Sequence, residues 1–356
     1  VPRNLHPGAW WLWALGMAVA ASRTTNPLLL GLIIAVLGFV VATRRSDAPW
    51  ALAFRLYAYV GAFIVVTRVL FRILVGGRDG GHILFRLPEI PLPDIAAGIT
   101  LLGPASAEEL LGGFYDGLRL ATMVLCVGAA NALANPKRLL KAVPGALYEI
   151  GTAVTVALSV APQLVESVGR VRRARRLRGG RQRGMRALKG ILVPVLEDAL
   201  ARSLLLAAAM DSRGYGRRAS VPRGMRVLTG ACVLLGLLGV CVGVYGVLDG
   251  TSGPLGVPML LAGLAVAITG FLLGGRRVRR STYRPDPWRW PETLVAASGA
   301  GACALFVLAA GLDAGALYSS VSPLRWPELS PLHAGSLLVG VLPAGLAPAP
   351  RTEASR

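Results

Sequence analysis

Lysine is nearly absent: Lys137, Lys141 and Lys189 are the only three in 356 residues, and none is followed by Ser or Thr. A phosphate-cradling loop needs that Lys-Ser/Thr pair behind its glycines, so no nucleotide cofactor is expected on this chain. Histidine is as sparse. His6, His82 and His333 lie far apart without HExxH spacing, so a metallopeptidase lacks its ligands. His82 beside Asp79 reads as a solvated loop, and no metal site is expected. The four cysteines, Cys126, Cys232, Cys241 and Cys303, sit inside apolar runs with no CxxC pair, which favours core packing over redox or metal chemistry. Neither Ser203 nor Ser212 stands in a nucleophile elbow. With no catalytic constellation, the chain is expected not to be an enzyme. Charge is also short, at 16% of residues against about 25% in a soluble domain, and acids number 18 against 38 bases.

What fills the chain instead is apolar sequence, 54% of residues, with a mean hydropathy of +0.58. It is gathered into runs near 10–22, 28–43, 50–75, 113–134, 226–248, 254–274 and 292–312, with a shorter Gly- and Pro-rich run at 336–348. A helix of about 20 apolar residues crosses a hydrocarbon core of about 30 Å. These runs predict a multi-pass protein of the cell membrane. The net charge of +20 then points to cytoplasmic loops and anionic lipid headgroups, and no nucleic-acid partner is expected. The first run begins within a dozen residues and another follows almost at once, so it reads as a retained segment rather than a leader.

Basic clusters orient the chain. Arg44–Arg45, "NPKRLLK" at 135–141, the block at 170–189 with ten Lys and Arg and no acid, and "RRVRR" at 276–280 all belong on the cytoplasmic side. The long segment between Lys141 and Arg170 has basic flanks on both sides, so a single crossing would put one flank outside. It is therefore expected not to cross. Leu147, Ile150, Val154, Leu158, Ala161, Val165 and Val168 follow 3–4 spacing, one stripe of an amphipathic helix. In the next segment, 191–213, Leu196, Leu200, Leu204 and Ala207 make a second ridge. Pro194 suits its first turn, and Asp198 can pair with Arg202 at i, i+4. The expected fold class is all-α: a polytopic membrane protein with a cytoplasmic pair of long amphipathic helices. Its regions are 1–142 transmembrane, 143–225 cytoplasmic, 226–315 transmembrane, and 316–356 an interfacial or disordered tail.

Each of the paired helices ends in Ala, three residues, then Arg-Gly: Ala174 to Arg178–Gly179, and Ala209 to Arg213–Gly214. A Gly past a helix end and an Arg in the last turn suit any C-terminus. The second copy adds Met210 one turn before the Arg and Tyr215 after the Gly, which are ingredients of a docking anchor. A third match, Ala219 to Gly224, contains Pro222 and is expected in a loop past the second helix.

At these residues the chain resembles the transmembrane T component of energy-coupling factor (ECF) transporters, the cobalt-permease-like group. The second motif of that family reads Ala-Met-x-x-Arg-Gly-Tyr, matched by Ala209, Met210, Arg213, Gly214 and Tyr215. The first looks like "RRLRG", with Arg178 at the coupling position and Leu177 where Ala is common. The likeness is clearest over 135–216 and returns at 281–292, while 226–274 looks like an insertion. The resemblance implies two coupling helices whose arginines dock two ABC-type ATPase subunits, which bind the ATP. It implies a membrane S component that carries a vitamin or metal ion. Two alternatives stay open at this point: a secondary transporter, with Arg55, Arg68, Arg72, Asp116 and Arg119 as its ionisable residues in spans and Asp116–Arg119 as an i, i+3 pair, and a membrane-interaction protein with a lipid-binding basic surface.

Overall fold

The computed structural model describes residues 5–45, 53–74, 81–88, 90–91, 100–141, 148–178, 185–214, 222–249, 255–275 and 286–348. In chain order its elements are α1 (Pro7–Ser22), α2 (Pro27–Arg44), α3 (Ala53–Leu74), β1 (Ile83–Arg86), β2 (Ile90–Pro91), β3 (Thr100–Leu101), β4 (Pro104–Ser106), α4 (Ala107–Leu133), α5 (Pro136–Lys141), α6 (Tyr148–Leu177), α7 (Met185–Ser212), α8 (Arg223–Leu248), α9 (Val257–Gly275), α10 (Trp290–Leu312), α11 (Pro331–Leu338) and α12 (Pro343–Leu346). Seven of the helices, α2, α3, α4, α6, α8, α9 and α10, are long and apolar enough to cross a membrane. The protein is an all-α, multi-pass membrane protein. Its only described strands pair antiparallel, β1 with β4 and β2 with β3, within the connection between α3 and α4.

The chain divides into two compact units, one of Val1–Leu139 with Pro285–Arg356, the other of Leu140–Arg284. In the first, α1, α2, α4 and α10 enclose a core in which Trp13, Met17, Leu29, Ile33, Cys126, Phe306 and Leu337 are fully buried. Local sequence sets the helix starts. Asn26 caps α2, accepting from the Leu28 N–H at 3.0 Å ahead of Pro27, and its Nδ2 donates to the carbonyls of Ala316 (2.9 Å) and Glu328 (2.8 Å). Buried Glu292 serves two helix starts at once. One carboxylate oxygen accepts from the Arg289 N–H at 3.1 Å before α10, the other from the His6 N–H at 3.3 Å before α1.

Residues 331–346, expected in an interfacial or disordered tail, pack instead into this unit. Leu337 and His333 are buried, and His333 lies edge-on to Phe306. The segment runs parallel to α2. Glu328 sits beside Asn26 at the start of α2, and the Ala344 carbonyl accepts from Arg44 Nε (2.9 Å) at its end. A 3₁₀ turn at 339–341 breaks the helix, and the buried Trp13 indole donates to the Gly340 carbonyl at 3.0 Å. A buried carbonyl without a donor is costly, and this bond gives the Gly340 carbonyl a partner at the break.

Two other expectations shift, that for Asp116 through a long-range contact and that for Pro194 through the earlier start of α7. Asp116 pairs with Arg72 across α3 and α4 at 3.4 Å rather than with Arg119 on its own helix. His82 Nδ1 meets Glu108 Oε1 at 2.8 Å; Asp79 lies outside the described residues. Pro194 falls in the interior of α7, whose first turn begins at Met185.

In the second unit α8 and α9 form an antiparallel hairpin on a glycine seam. A Cβ on Gly236, Gly243 or Gly263 would overlap the backbone of Ala267, Leu260 or Gly239. Small residues at this spacing let membrane helices approach to backbone contact.

The chain leaves the first unit after Arg138 and returns before Asp286, and Arg138 Nε donates to Asp286 Oδ2 at 2.9 Å. Departure and return are therefore at one end of that unit, and the residues between must cross the membrane an even number of times. The α8–α9 hairpin supplies two helices long and apolar enough to cross. If α6 crossed, its antiparallel neighbour α7 would have to cross as well, with Lys189, Glu197, Asp198 and Arg202 along its length. A charge at mid-bilayer is expensive. We therefore expect Glu166→Cys and Ser203→Cys, in a chain whose four native cysteines are replaced, to react only with label supplied to the cytoplasmic side. Reaction of either with impermeant label outside intact cells would overturn this topology.

Candidate coupling site

The helices α6 and α7 run antiparallel, and side chains meet at four levels. Arg202 Nη1 donates to Gln163 Oε1 at 3.3 Å, Ser167 Oγ to Asp198 Oδ2 at 2.6 Å, and Arg170 Nη2 to Asp198 Oδ2 at 3.1 Å. At the fourth, the Arg175 guanidinium lies over Gly190, where any Cβ would overlap it. Pro194 has no N–H to give the Gly190 carbonyl one turn earlier, so that carbonyl lacks its usual intrahelical donor where this guanidinium rests. The expected i, i+4 pair is present, with Arg202 Nε donating to Asp198 Oδ1 at 3.0 Å. Hydrogen bonds from Ser167 first, then from Arg202, hold the Asp198 carboxyl below its ordinary range.

Polar side chains, not apolar ones, make this interface. Among the described residues of α6 and α7 only Ser167 and Val195 are buried. The apolar stripes face away: Ile150, Val154, Leu158 and Val165 on α6 are exposed, Val165 to 72%, as are Leu196, Leu200 and Leu204 on α7. Ala161 and Ala207 are exposed too and Val168 is half-buried, while Leu147 lies outside the described residues. Two amphipathic helices joined through their polar sides present a surface that water does not favour.

The expected anchors stand at the two helix ends. Arg178 follows the last residue of α6, its N–H donating to the Ala174 carbonyl at 3.2 Å, and both residues are exposed. Leu177 beside it is 89% exposed. On α7, Ala209 and Arg213 are exposed and Met210 is half-buried, with the Arg213 N–H donating to the Met210 carbonyl at 3.2 Å. Gly214 has φ 74°, the left-handed cap that ends the helix and that an L side chain would strain. Gly179 and Tyr215 lie outside the described residues.

Because the helices are antiparallel, Arg178 and Arg213 are not brought together. Measured from the Ser167–Asp198 level, they lie 11 and 15 residues away in opposite directions, about 40 Å apart at ~1.5 Å per residue. The third match behaves differently. Arg223 is not in a loop but is the first residue of α8, at a helix start where a cation is disfavoured. Sequence reasoning missed Ser167 and Arg170 as members of the cluster. The signal was there in Gln163, Ser167 and Arg170 at i, i+4, i+7, one polar row on α6. Among the described residues, no three His, Cys, Asp or Glu side chains come close enough to hold a metal ion.

The pattern of paired long helices on a basic side, each closed by Arg-Gly, agrees with a match to a known family. The family model described as CbiQ, cobalt transport protein, covers residues 1–222. The chain belongs to this family. A relative, the energy-coupling factor transporter transmembrane protein EcfT of Bacillus selenitireducens, is 26% identical over 209 residues, covering 54% of this chain and 71% of that protein. The family match takes in α1 to α7 and both helix-terminal motifs and stops one residue before Arg223 opens α8. The α8–α9 hairpin, which reads as an insertion in the sequence, therefore lies beyond it.

Proposed function

We propose that the chain is the transmembrane scaffold, or T component, of an ECF-type ABC importer. In this reading Arg178 and Arg213 each dock in a groove of one ATPase subunit, with Ala174, Gly179, Ala209, Met210, Gly214 and Tyr215 shaping the two ends. The chain itself is non-catalytic, and its partners bind and hydrolyse the ATP. Movement of the two ATPases drives the helix pair, whose exposed apolar stripes rest against a substrate-binding S component and the membrane surface. The cargo is a vitamin or a metal ion, and the arginines along α6 hold anionic lipid.

One observation carries the reading: two exposed arginines, each closing a long helix of an antiparallel pair, within a chain of the cobalt transport protein family. A guanidinium keeps its charge on partial burial and forms paired hydrogen bonds with a carboxylate or with carbonyls. Two equivalent ends about 40 Å apart suit two equivalent partners. The name of the B. selenitireducens relative supports the same assignment.

Co-purification is the direct test. The full chain in mild detergent is expected to retain two ATPase subunits, and recovery without any ATPase partner from cells that contain them would refute the scaffold. The isolated chain is expected neither to bind nor to hydrolyse ATP, because no phosphate loop is present. Hydrolysis by a preparation free of ATPase subunits would remove the non-catalytic assignment.

A further inference from the structure

We propose that Asp198 is a positioning residue, the pivot that holds α6 and α7 at one relative rotation and so sets the spacing of the two arginine ends. The proposal rests on the reading of Arg178 and Arg213 as docking anchors. The geometry behind it is the way one carboxylate engages both helices. Oδ2 accepts from Ser167 and Arg170, one turn apart on α6, and Oδ1 accepts from Arg202 on α7. Arg202 then reaches back to Gln163, a third point on the same row of α6. Attachment at several points along one helix fixes rotation as well as distance, where a single bond would fix only distance.

Apart from this row, the described meeting of the two helices is Arg175 over Gly190. Val195 is their only described buried apolar residue, so a packed core is not what holds the angle. The cluster also sits near mid-lever. Arg178 lies about 17 Å from it and Arg213 about 22 Å, at ~1.5 Å per residue. At such arm lengths a rotation of about 10° displaces each end by roughly 3–4 Å, more than the tolerance of a paired hydrogen bond. Losing the pivot would leave each anchor able to bind while the two no longer move together.

The test places spin labels next to the anchors, at Arg176→Cys and Ser212→Cys, in the full chain with its native cysteines replaced, and measures their distance distribution. The same variants, unlabelled, are assembled with the two ATPase subunits, and ATP hydrolysis by the complex is followed. Asp198→Ala is expected to at least double the width of the distribution and to lower hydrolysis by the complex about tenfold, with ATPase association falling less than threefold. Asp198→Asn keeps an acceptor for Ser167 and loses the charge facing Arg170 and Arg202, so it is expected in between, and it serves if Asp198→Ala does not accumulate. The exchange Ser167→Asp with Asp198→Ser moves the carboxylate to α6, within reach of Arg170 and Arg202, and is expected to narrow the distribution again. An unchanged width and rate in Asp198→Ala and Asp198→Asn overturns the pivot. If the width doubles but neither arginine end matters for ATPase association, the pivot stands and the docking reading falls.

Discussion

Replacing Arg178 and Arg213 together by alanine is expected to abolish ATP-coupled transport while leaving the chain inserted in the membrane. Arg178 follows the last residue of α6, Arg213 follows the last residue of α7, and both are exposed. Nothing in the isolated chain should depend on them. In a complex the situation reverses, because a guanidinium sunk in a groove of a partner leaves an unpaired group behind when it is removed. Loss of one member of such a buried pair costs about 2–5 kcal/mol, and each ~1.4 kcal/mol is tenfold in affinity. Each single alanine variant should therefore weaken ATPase association by roughly thirtyfold or more. Lysine at either position should recover only part of it, since the charge is kept and the planar fork is lost. Arg223→Ala provides the control, because it shares the Ala-x-x-x-Arg-Gly spacing but opens α8 instead of closing a helix. Equal damage from Arg223→Ala and Arg213→Ala, measured as ATPase retained on the purified chain, would mean that the helix end does not select the site. A basic surface held by lipid would then explain the arginines better.

The second large effect is expected in the first unit, at the crossing of α1 and α10. A Cβ on Gly299 would overlap the Trp13 Cα and carbonyl, and one on Gly16 would overlap the Gly299 carbonyl. These are backbone atoms of helices whose neighbouring side chains, Trp13 and Met17, are themselves fully buried. No side chain can swing aside to make room. Overpacking a core usually costs about 1–3 kcal/mol, and a contact that only backbone movement can relieve belongs at or above the top of that range. Gly299→Leu is therefore expected to destabilise the protein by about 3 kcal/mol or more. The loss should also spread, because Trp13 donates the hydrogen bond that satisfies Gly340 at the break before α12. Gly31 has open space where its Cβ would stand, so Gly31→Leu should stay within about 0.5 kcal/mol of the parent. Unfolding midpoints in detergent compare the two. Equal midpoints would show that α1 and α10 do not make this close contact in the membrane.

Much of the architecture is legible in local sequence, because hydropathy and helical period are local properties. Runs of about 20 apolar residues mark crossings wherever they occur. Basic clusters orient them, and Asn26-Pro27 or Trp290-Pro291-Glu292 announce helix starts within a few residues. The two Arg-Gly ends are visible for the same reason, since a helix terminus is recognised from its last turn and its glycine. The Asp198–Arg202 pair is likewise a matter of i, i+4 spacing on one helix.

What local pattern could not decide is which surfaces meet. An apolar stripe on α6 and another on α7 say that each helix has two faces, but not that the polar faces are the ones joined. That outcome depends on Ser167, Arg170 and Gln163 arriving opposite Asp198 and Arg202 from about 30 residues away in the chain. The inserted segment at 331–346 is a similar case. Its helix is short and broken, poor by composition, and it is held because Trp13, Arg44 and Asn26, some 300 residues earlier, supply partners for its backbone and its approach. Asp116 takes Arg72 over Arg119 because helix packing brings α3 against α4. Propensity and hydropathy act along the chain within a few residues, whereas hydrogen bonds and close packing act through space. The apolar helices and the helix ends of this protein were therefore determined by the sequence alone, and the pairing of its surfaces only by the tertiary structure.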